Sequence, residues 1–329
     1  RTGDACGAFA RAACSSDGWA QAYRRWADCL NKAGRERDVA TVLALAVERG
    51  VWQHPLQRPS DLYVPGLRAS PFWDTGELPA ARALEAAFPA ILKEFRALRA
   101  DAEAWRWTGV ADQPLVVRGN WSDFKLVENG RRHPVNCARC PETVRAVQER
   151  CPEIATQVKG SLIFSHLSGG TVIRPHCGPT NTRIRLHLAL EVPDDPKPRI
   201  RVGETWRTWE EGMCLAFDDS FEHEVVHEGP DSRVVLIADV WHPDFPDEMR
   251  RRHLHGQHLR RYCAAGAAGD GAQREYDEHP VDPVEVYFLE QELRGMPEVV
   301  EAAATVHRDA EGRQTLLAYA ECAAGPAAT

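Results

Sequence analysis

The sequence predicts a mainly β protein, an antiparallel jelly roll with a helical flank on its N-terminal side and a small α+β unit at its C-terminal end. Three observations predict it. Between about residues 114 and 243 the chain runs in short alternating stretches separated by turn residues, the pattern of antiparallel strands in a sandwich or barrel. Before that region apolar residues recur at helical spacing and the runs close on glycine, as helices do. After it, the small-residue segment "AAGAAGDGAQ" (264–273) separates a last helix-and-hairpin pattern from the rest.

The elements follow in order. Residues 1–50 read as helical through "GWAQAYRRWADCLNKAG" and "ERDVATVLALAVERG". They suit a tetratricopeptide-like scaffold or, as the preferred reading, a flank packed on the main domain. "HPLQRPSDLYVPGLRASPFWD" is rich in Pro and Gly and reads as an extended, ordered wrap. A helix is expected over 79–105, with Leu84, Phe88, Ile91, Leu92, Phe95 and Leu98 on one stripe. Strands are expected at "LVVRG", "DFKLVEN", "GSLIFSHL", "TRIRLHLALEV", "RIRVGETWRTW", "GMCLAFDD", "HEVVHEG" and "RVVLIADVW". The main domain spans 51–250 and a linker 251–275. A unit at 276–329 offers a helix (284–293), then "VVEAAATVHRD", the turn "AEGRQ" and "LLAYAEC".

Composition sets limits. The 329 residues are 43% hydrophobic and 27% charged, values of a globular chain able to bury a core. A net charge of −8 argues against nonspecific nucleic-acid binding, which needs a basic surface. No run approaches the length of a membrane span. Residue 1 is Arg, so the chain reads as a fragment or processed form, which leaves a lost targeting segment and the compartment open. Of ten cysteines only Cys137 and Cys140 form a CxxC, with no second pair to complete a zinc site. Ordinary thiols are the preferred reading there, ahead of a local disulfide and of zinc.

Chemistry concentrates in "RPHCGPTNTRIRLHLALEV" (174–192). Period-two alternation puts Ile184, Leu186, Leu188 and Leu190 on one face and Arg183, Arg185 and His187 on the other. His176 ends a strand just before a turn, and His223 in "FDDSFEHEV" opens another. Strand ends are where a jelly roll brings distant residues to one rim. A pair of neutral imidazoles suits iron, copper, nickel and zinc alike. The acid of a two-histidine, one-carboxylate triad would stand at position 178, which is Gly178. Either the metal is not iron, or two histidines suffice and water fills the vacancy. Asp218 and Asp219 are available as a third ligand, although turn stabilisation is the preferred role. Arg183, Arg185, His187 and Arg233 either lie on the surface or face the metal's cavity. Interior guanidinium groups need anions, and they match carboxylates; a dicarboxylate co-substrate with an acidic substrate would meet that need. His227 reads as a rim residue; His133, His253, His255 and His258 read as solvated imidazoles.

"PHCGPTNTRIRLHLAL", "TWEEGMCLAFDDSFEHEV" and "DVWHP", with "GNWSDF" and "GLRASPFW", resemble the aspartyl/asparaginyl β-hydroxylase family of Fe(II)- and 2-oxoglutarate-dependent oxygenases, over about residues 51–243. The resemblance implies a double-stranded β-helix (cupin-like) core and Fe(II) held by His176 and His223, with glycine where the acid normally stands. It implies Ser165 and Arg233 on the distal carboxylate of 2-oxoglutarate, and His187 with Arg185 at its other end. Arg183 and Arg185 would grip an acidic substrate side chain, and Trp121 would line the approach. The implied reaction consumes O₂, converts 2-oxoglutarate to succinate and hydroxylates the β-carbon of an Asp/Asn-type residue in a peptide or protein. The tail from "VEVYFLEQELRG" onward resembles the start of the C-terminal subdomain of adenylate-forming enzymes, without the region of its catalytic lysine. That would make a carrier-tethered amino acid, and a peptidyl carrier protein, the alternative substrate and partner. A non-catalytic cupin-like binder of peptides or acids is the competing reading. A zinc hydrolase lacks a general base.

Overall fold

The computed structural model of the chain describes residues 2–15, 20–60, 62–100, 108–109, 115–128, 131–151, 154, 160–247, 250, 299–308 and 314–322. Two compact units are present, residues 1–246 and 247–329.

The first unit holds two antiparallel sheets. The larger comprises β1 (Phe72–Trp73), β2 (Thr108–Gly109), β4 (Trp121–Glu128), β5 (Arg131–Arg132), β6 (Leu162–Leu167), β8 (Arg183–Glu191), β11 (Cys214–Phe217) and β13 (Arg233–Trp241). Its order is β1-β11-β8-β13-β6-β4-β2, with β5 on β4. The smaller comprises β3 (Val116–Arg118), β7 (Val172–His176), β9 (Arg199–Val202), β10 (Thr205–Thr208) and β12 (His223–Val226), in the order β10-β9-β12-β7-β3. This is the expected jelly roll, and the quoted alternating stretches supply its strands.

The larger sheet is buried on both faces, and strict alternation sorts its residues between them. Ile184, Leu186, Leu188 and Leu190 of β8, with Val234, Leu236, Ala238 and Val240 of β13, join one core with α4 (Pro79–Ala100). Leu84, Ile91, Phe95 and Leu98 are the buried stripe of that helix. Its extent matches the expected one through residue 100; 101–105 lie outside the described residues. The opposite face of the sheet meets the smaller sheet: Ile163, Leu167, Ala189, Val235 and Ile237 pack with Ile173, Ile200, Val202 and Val225.

Two further helices, α5 (Pro134–Arg139) and α6 (Pro141–Arg150), occupy a stretch where sequence reading expects none. Their apolar pattern is too short to register. A proline opens each, and a partner distant in sequence caps α6. Glu94 on α4 accepts from the amides of Glu142 and Thr143, each at 2.8 Å, and from the Thr143 hydroxyl at 2.6 Å. That carboxylate satisfies amides the helix itself cannot.

The N-terminal helices α1 (Thr2–Ser15), α2 (Ala20–Lys32) and α3 (Glu36–Glu48) belong to the same compact unit as the sheets. Tyr23, Leu30, Val42, Ala46 and Trp52 form their core. The Pro/Gly-rich wrap follows and is stitched to the barrel rim. The amides of Arg58, Ser60 and Leu62 donate to the carbonyls of Ser220, Gly178 and Pro179, and the amide of Glu222 donates to Leu56. These are the loops that flank His176 and His223.

In the second unit, β14 (Val299–Arg308) and β15 (Gln314–Cys322) form the expected antiparallel hairpin. The expected linker at 264–273, the helix at 284–293 and His253, His255 and His258 lie outside the described residues. No helix among the described residues is long and apolar enough to cross a membrane.

Candidate active site

His176 closes β7 and His223 opens β12, and the two strands pair with these residues opposite one another. The ladder shifts between His223 and Val225, and such irregularities re-aim side chains. The rings stand with centroids 4.1 Å apart at 52°. His176 Nδ1 lies 3.0 Å from the Arg174 carbonyl, and His223 Nδ1 lies 2.9 Å from the Phe221 carbonyl. A carbonyl only accepts, so each Nδ1 carries the hydrogen and each Nε2 keeps its lone pair for a ligand. Burial, reinforced by His176, brings the His223 imidazole down to about 3; burial also lowers His176. Both rings are therefore neutral donors, and their second nitrogens are anchored as metal-binding histidines require.

Gly178 has a packing reason. Its amide donates to the Asp219 carbonyl at 2.6 Å. A Cβ at 178 would stand inside the contact distance of the Asp219 carboxylate. That carboxylate is fully buried, with Arg183 Nη2 at 2.5 Å and Arg185 Nη1 at 3.3 Å. Burial alone would push Asp219 up, but the two guanidinium groups outweigh it and hold the acid well below the usual carboxylate range. Asp219 is thus an ion-pair partner, which corrects its expected turn role. Asp218 does play that role: its Oδ1 accepts from the amide (2.9 Å) and hydroxyl of Ser220. Gln57 from the wrap donates to Asp218 Oδ2 at 3.1 Å and to Ser220 at 3.2 Å.

The cationic face of β8 points into the barrel, not to solvent. Arg183 pairs with Asp219 and with Asp239 at 3.1 Å, and Arg185 Nε lies 2.8 Å from Asp239. This corrects the expectation that Arg183 stands open for a substrate acid. Its side chain is 4% exposed and both its anions are internal. Arg185 is less enclosed, with 19% of its side chain exposed.

Arg233 and His187 differ. Arg233 is buried, its guanidinium stacks 4.8 Å from the Trp209 ring, and its Nε and Nη1 have no hydrogen-bond partner. Burial lowers it to about 9, opposed by the Asp123 charge. Trp209 Nε1 donates to His187 Nδ1 at 3.3 Å, so the hydrogen of His187 sits on Nε2, which is buried and unpartnered. Burial, then Arg233 and Arg185, keep that ring neutral. Ser165 on β6 is buried and accepts from Trp121 Nε1 at 3.0 Å, leaving its own hydroxyl hydrogen free to donate. The site therefore presents two lone pairs on one sheet and donors from three residues on the other. Buried donors without partners are costly, and a carboxylate meets that need.

Sequence reading misses Asp239, Asp123, Trp209 and Gln57. For Asp239 a signal exists, since it shares parity with Arg233 in the apolar run "RVVLIADVW". The others are placed by tertiary pairing alone. Cys137 and Cys140 are free thiols, and burial pushes Cys140 up to about 12. His227 is buried, with Nε2 at 2.6 Å from the Asp231 carbonyl, so it is an internal residue and not a rim one. Among the described residues no group of three His, Cys, Asp or Glu side chains converges as a metal cluster. A metal here would rest on two imidazoles and small oxygen ligands, a set that fits a divalent transition ion.

The family profile of the aspartyl/asparaginyl β-hydroxylases matches residues 85–243. Those residues include both histidines and every donor above. The chain is 37% identical over 236 residues to aspartyl/asparaginyl beta-hydroxylase of Homo sapiens, covering 70% of this chain and 30% of that protein. Residues 85–243 belong to the aspartyl/asparaginyl β-hydroxylase family. The hydroxylase region is also 38% identical over 208 residues to aspartate beta-hydroxylase domain-containing protein 1 of Mus musculus, and 38% over 202 residues to domain-containing protein 2 of Rattus norvegicus. These cover 60% and 58% of this chain and 55% and 57% of those proteins. The chain thus spans less than two thirds of the relatives it matches. A 2OG-Fe(II) oxygenase family oxidoreductase from Burkholderia pseudomallei is 12% identical, covering 45% of this chain and 77% of that chain at a TM-score of 0.32, a likeness on which nothing further rests.

Proposed function

We propose that this chain is an Fe(II)- and 2-oxoglutarate-dependent dioxygenase that hydroxylates the β-carbon of an Asp/Asn-type residue in a peptide or protein. One observation carries the reading. Opposite tautomers face each other across one barrel: His176 and His223 offer lone pairs, while His187 and Arg233 offer unmet N–H donors. A metal suits the first pair and an organic acid the second.

In this reading His176 and His223 hold Fe(II), which when bound supplies the oxidative chemistry with O₂. Arg233 and Ser165 bind the distal carboxylate of 2-oxoglutarate, and the His187 Nε2–H donates to its other end. The pairing of Trp121 with Ser165 turns the serine hydroxyl toward that carboxylate. Arg185 reaches the acidic or amide side chain of the substrate while Asp239 and Asp219 hold it in place; Arg183 sets the position of Asp219 from behind. Trp121 lines the approach.

The test is anaerobic metal analysis followed by peptide mass spectrometry. Iron bound in proportion to protein, 2-oxoglutarate-dependent succinate release and one added oxygen mapped to a β-carbon are expected. A protein with neither metal nor 2-oxoglutarate affinity would be the non-catalytic binder instead.

A further inference from the structure

β4 carries an acid that the site above leaves without a role. Asp123 lies on the inner face of that strand, opposite Ser165 of β6 in the ladder, a relation that puts Cβ atoms about 5 Å apart. It is 6% exposed, its Oδ1 has no hydrogen-bond partner, and among the described residues no ion pair joins it to a cation.

The charges around it come from three elements, and two more pair with or face it. On β4 itself, Lys125 and Glu128 pair with each other. From β8 comes Arg185, already held by Asp219 and Asp239. From β13 comes Arg233, for which Asp123 is the one attractive charge among the described residues. β6 offers the Ser165 hydroxyl, and β2 pairs Thr108 with Asp123. The interior therefore balances Arg183, Arg185 and Arg233 against Asp219, Asp239 and Asp123. A carboxylate arriving at Arg233 and Ser165 places a second acid beside Asp123, near the guanidinium that Asp123 attracts. Two carboxylates that share a site cannot both stay ionised cheaply, and one proton relieves them.

We propose that Asp123 takes up a proton from solvent as the distal carboxylate of the co-substrate settles on Arg233 and Ser165, and that its acid form then donates a hydrogen bond to that carboxylate. The inference rests on the 2-oxoglutarate reading above. Burial already pushes the Asp123 carboxyl up to about 6, against the lowering pull of Lys125 and Arg185, so the proton is near at hand at neutral pH. Asp123 is in this reading a co-substrate-binding residue whose charge state sets the affinity. Above about pH 6 the affinity for the co-substrate falls by up to about tenfold per pH unit, because the free form must gain a proton to bind.

Calorimetry on the full chain loaded with Mn(II) under anaerobic conditions tests this. 2-Oxoglutarate is titrated in buffers of different ionisation enthalpy at about pH 7.5. Uptake approaching one proton per molecule bound is expected, with affinity dropping severalfold to tenfold over the next pH unit. Asp123→Asn should bind without proton uptake, show affinity flat with pH, and exceed the wild type at the alkaline end. Wild-type binding without uptake, or uptake retained in Asp123→Asn, overturns the proposal. If that variant fails to fold, the wild-type proton count decides alone. If the wild type binds no 2-oxoglutarate at any pH, the co-substrate reading itself falls and the proposal with it.

Discussion

Two arginine sites on one sheet face behave in opposite ways. Arg183 of β8 meets Asp219 and Asp239, so its charge is settled inside the fold, and the same two acids hold Arg185 with only its edge left open. Arg233 of β13, as buried as Arg183, stacks on Trp209 and keeps two nitrogens unpartnered. A buried cation with its acid beside it is architecture; one whose donors meet nothing is a place for a ligand. Residue type and strand parity are the same in both. What separates them is whether the rest of the chain delivers a carboxylate.

Substitutions can break that comparison. The largest effect is expected at the metal end. His223→Ala should reduce hydroxylation to background while the melting temperature barely moves, read by succinate release and thermal unfolding. Retained turnover would mean that the unmet donors of Arg233 and His187 serve a different chemistry. Next comes Asp219→Ala, which leaves Asp239 as the one remaining acid for two guanidinium groups and should cost about 3 kcal/mol in urea unfolding. Arg233→Met should do the reverse, leaving the ligand-free protein as stable as before or more so, while 2-oxoglutarate affinity falls about a hundredfold or more. Equal destabilisation by Arg183→Met and Arg233→Met would erase the distinction.

Acid should act on the paired cluster first. Asp219 is held below its unfolded value, so the stability it contributes is complete above about pH 4 and is lost as pH falls from there toward its folded value. Asp219→Asn should flatten the wild-type decline in urea midpoints across that window. The smallest effect is expected from Trp121→Phe, which removes only the donor to Ser165. It should weaken 2-oxoglutarate binding by about fivefold, the worth of about 1 kcal/mol.

Much of this site is legible in the linear chain where local periodicity carries it. Alternation in "RIRLHLAL" separates the helix-facing leucines from the barrel-facing cations, and "RVVLIADVW" does the same for Arg233. His176 and His223 are marked by their places at strand ends. Illegible were the anions. Asp219 is 36 residues from Arg183 and Asp239 is 54 residues from Arg185, and no period reports a contact that only sheet assembly creates. The same holds for Glu94, whose carboxylate starts a helix 48 residues away. The small helix α6 escapes notice for this reason: its first amides are satisfied by a tertiary partner and not by its own flanking residues.

The close approach of residue 178 to residue 219 limits what this centre can become. A single exchange of Gly178 for an acid cannot install a third protein ligand, because the volume its side chain needs is filled by an oxygen that two guanidinium groups keep from swinging aside. Emptying that volume would leave those two groups with Asp239 alone, so at least two coordinated changes stand between the proposed two-imidazole centre and a facial triad.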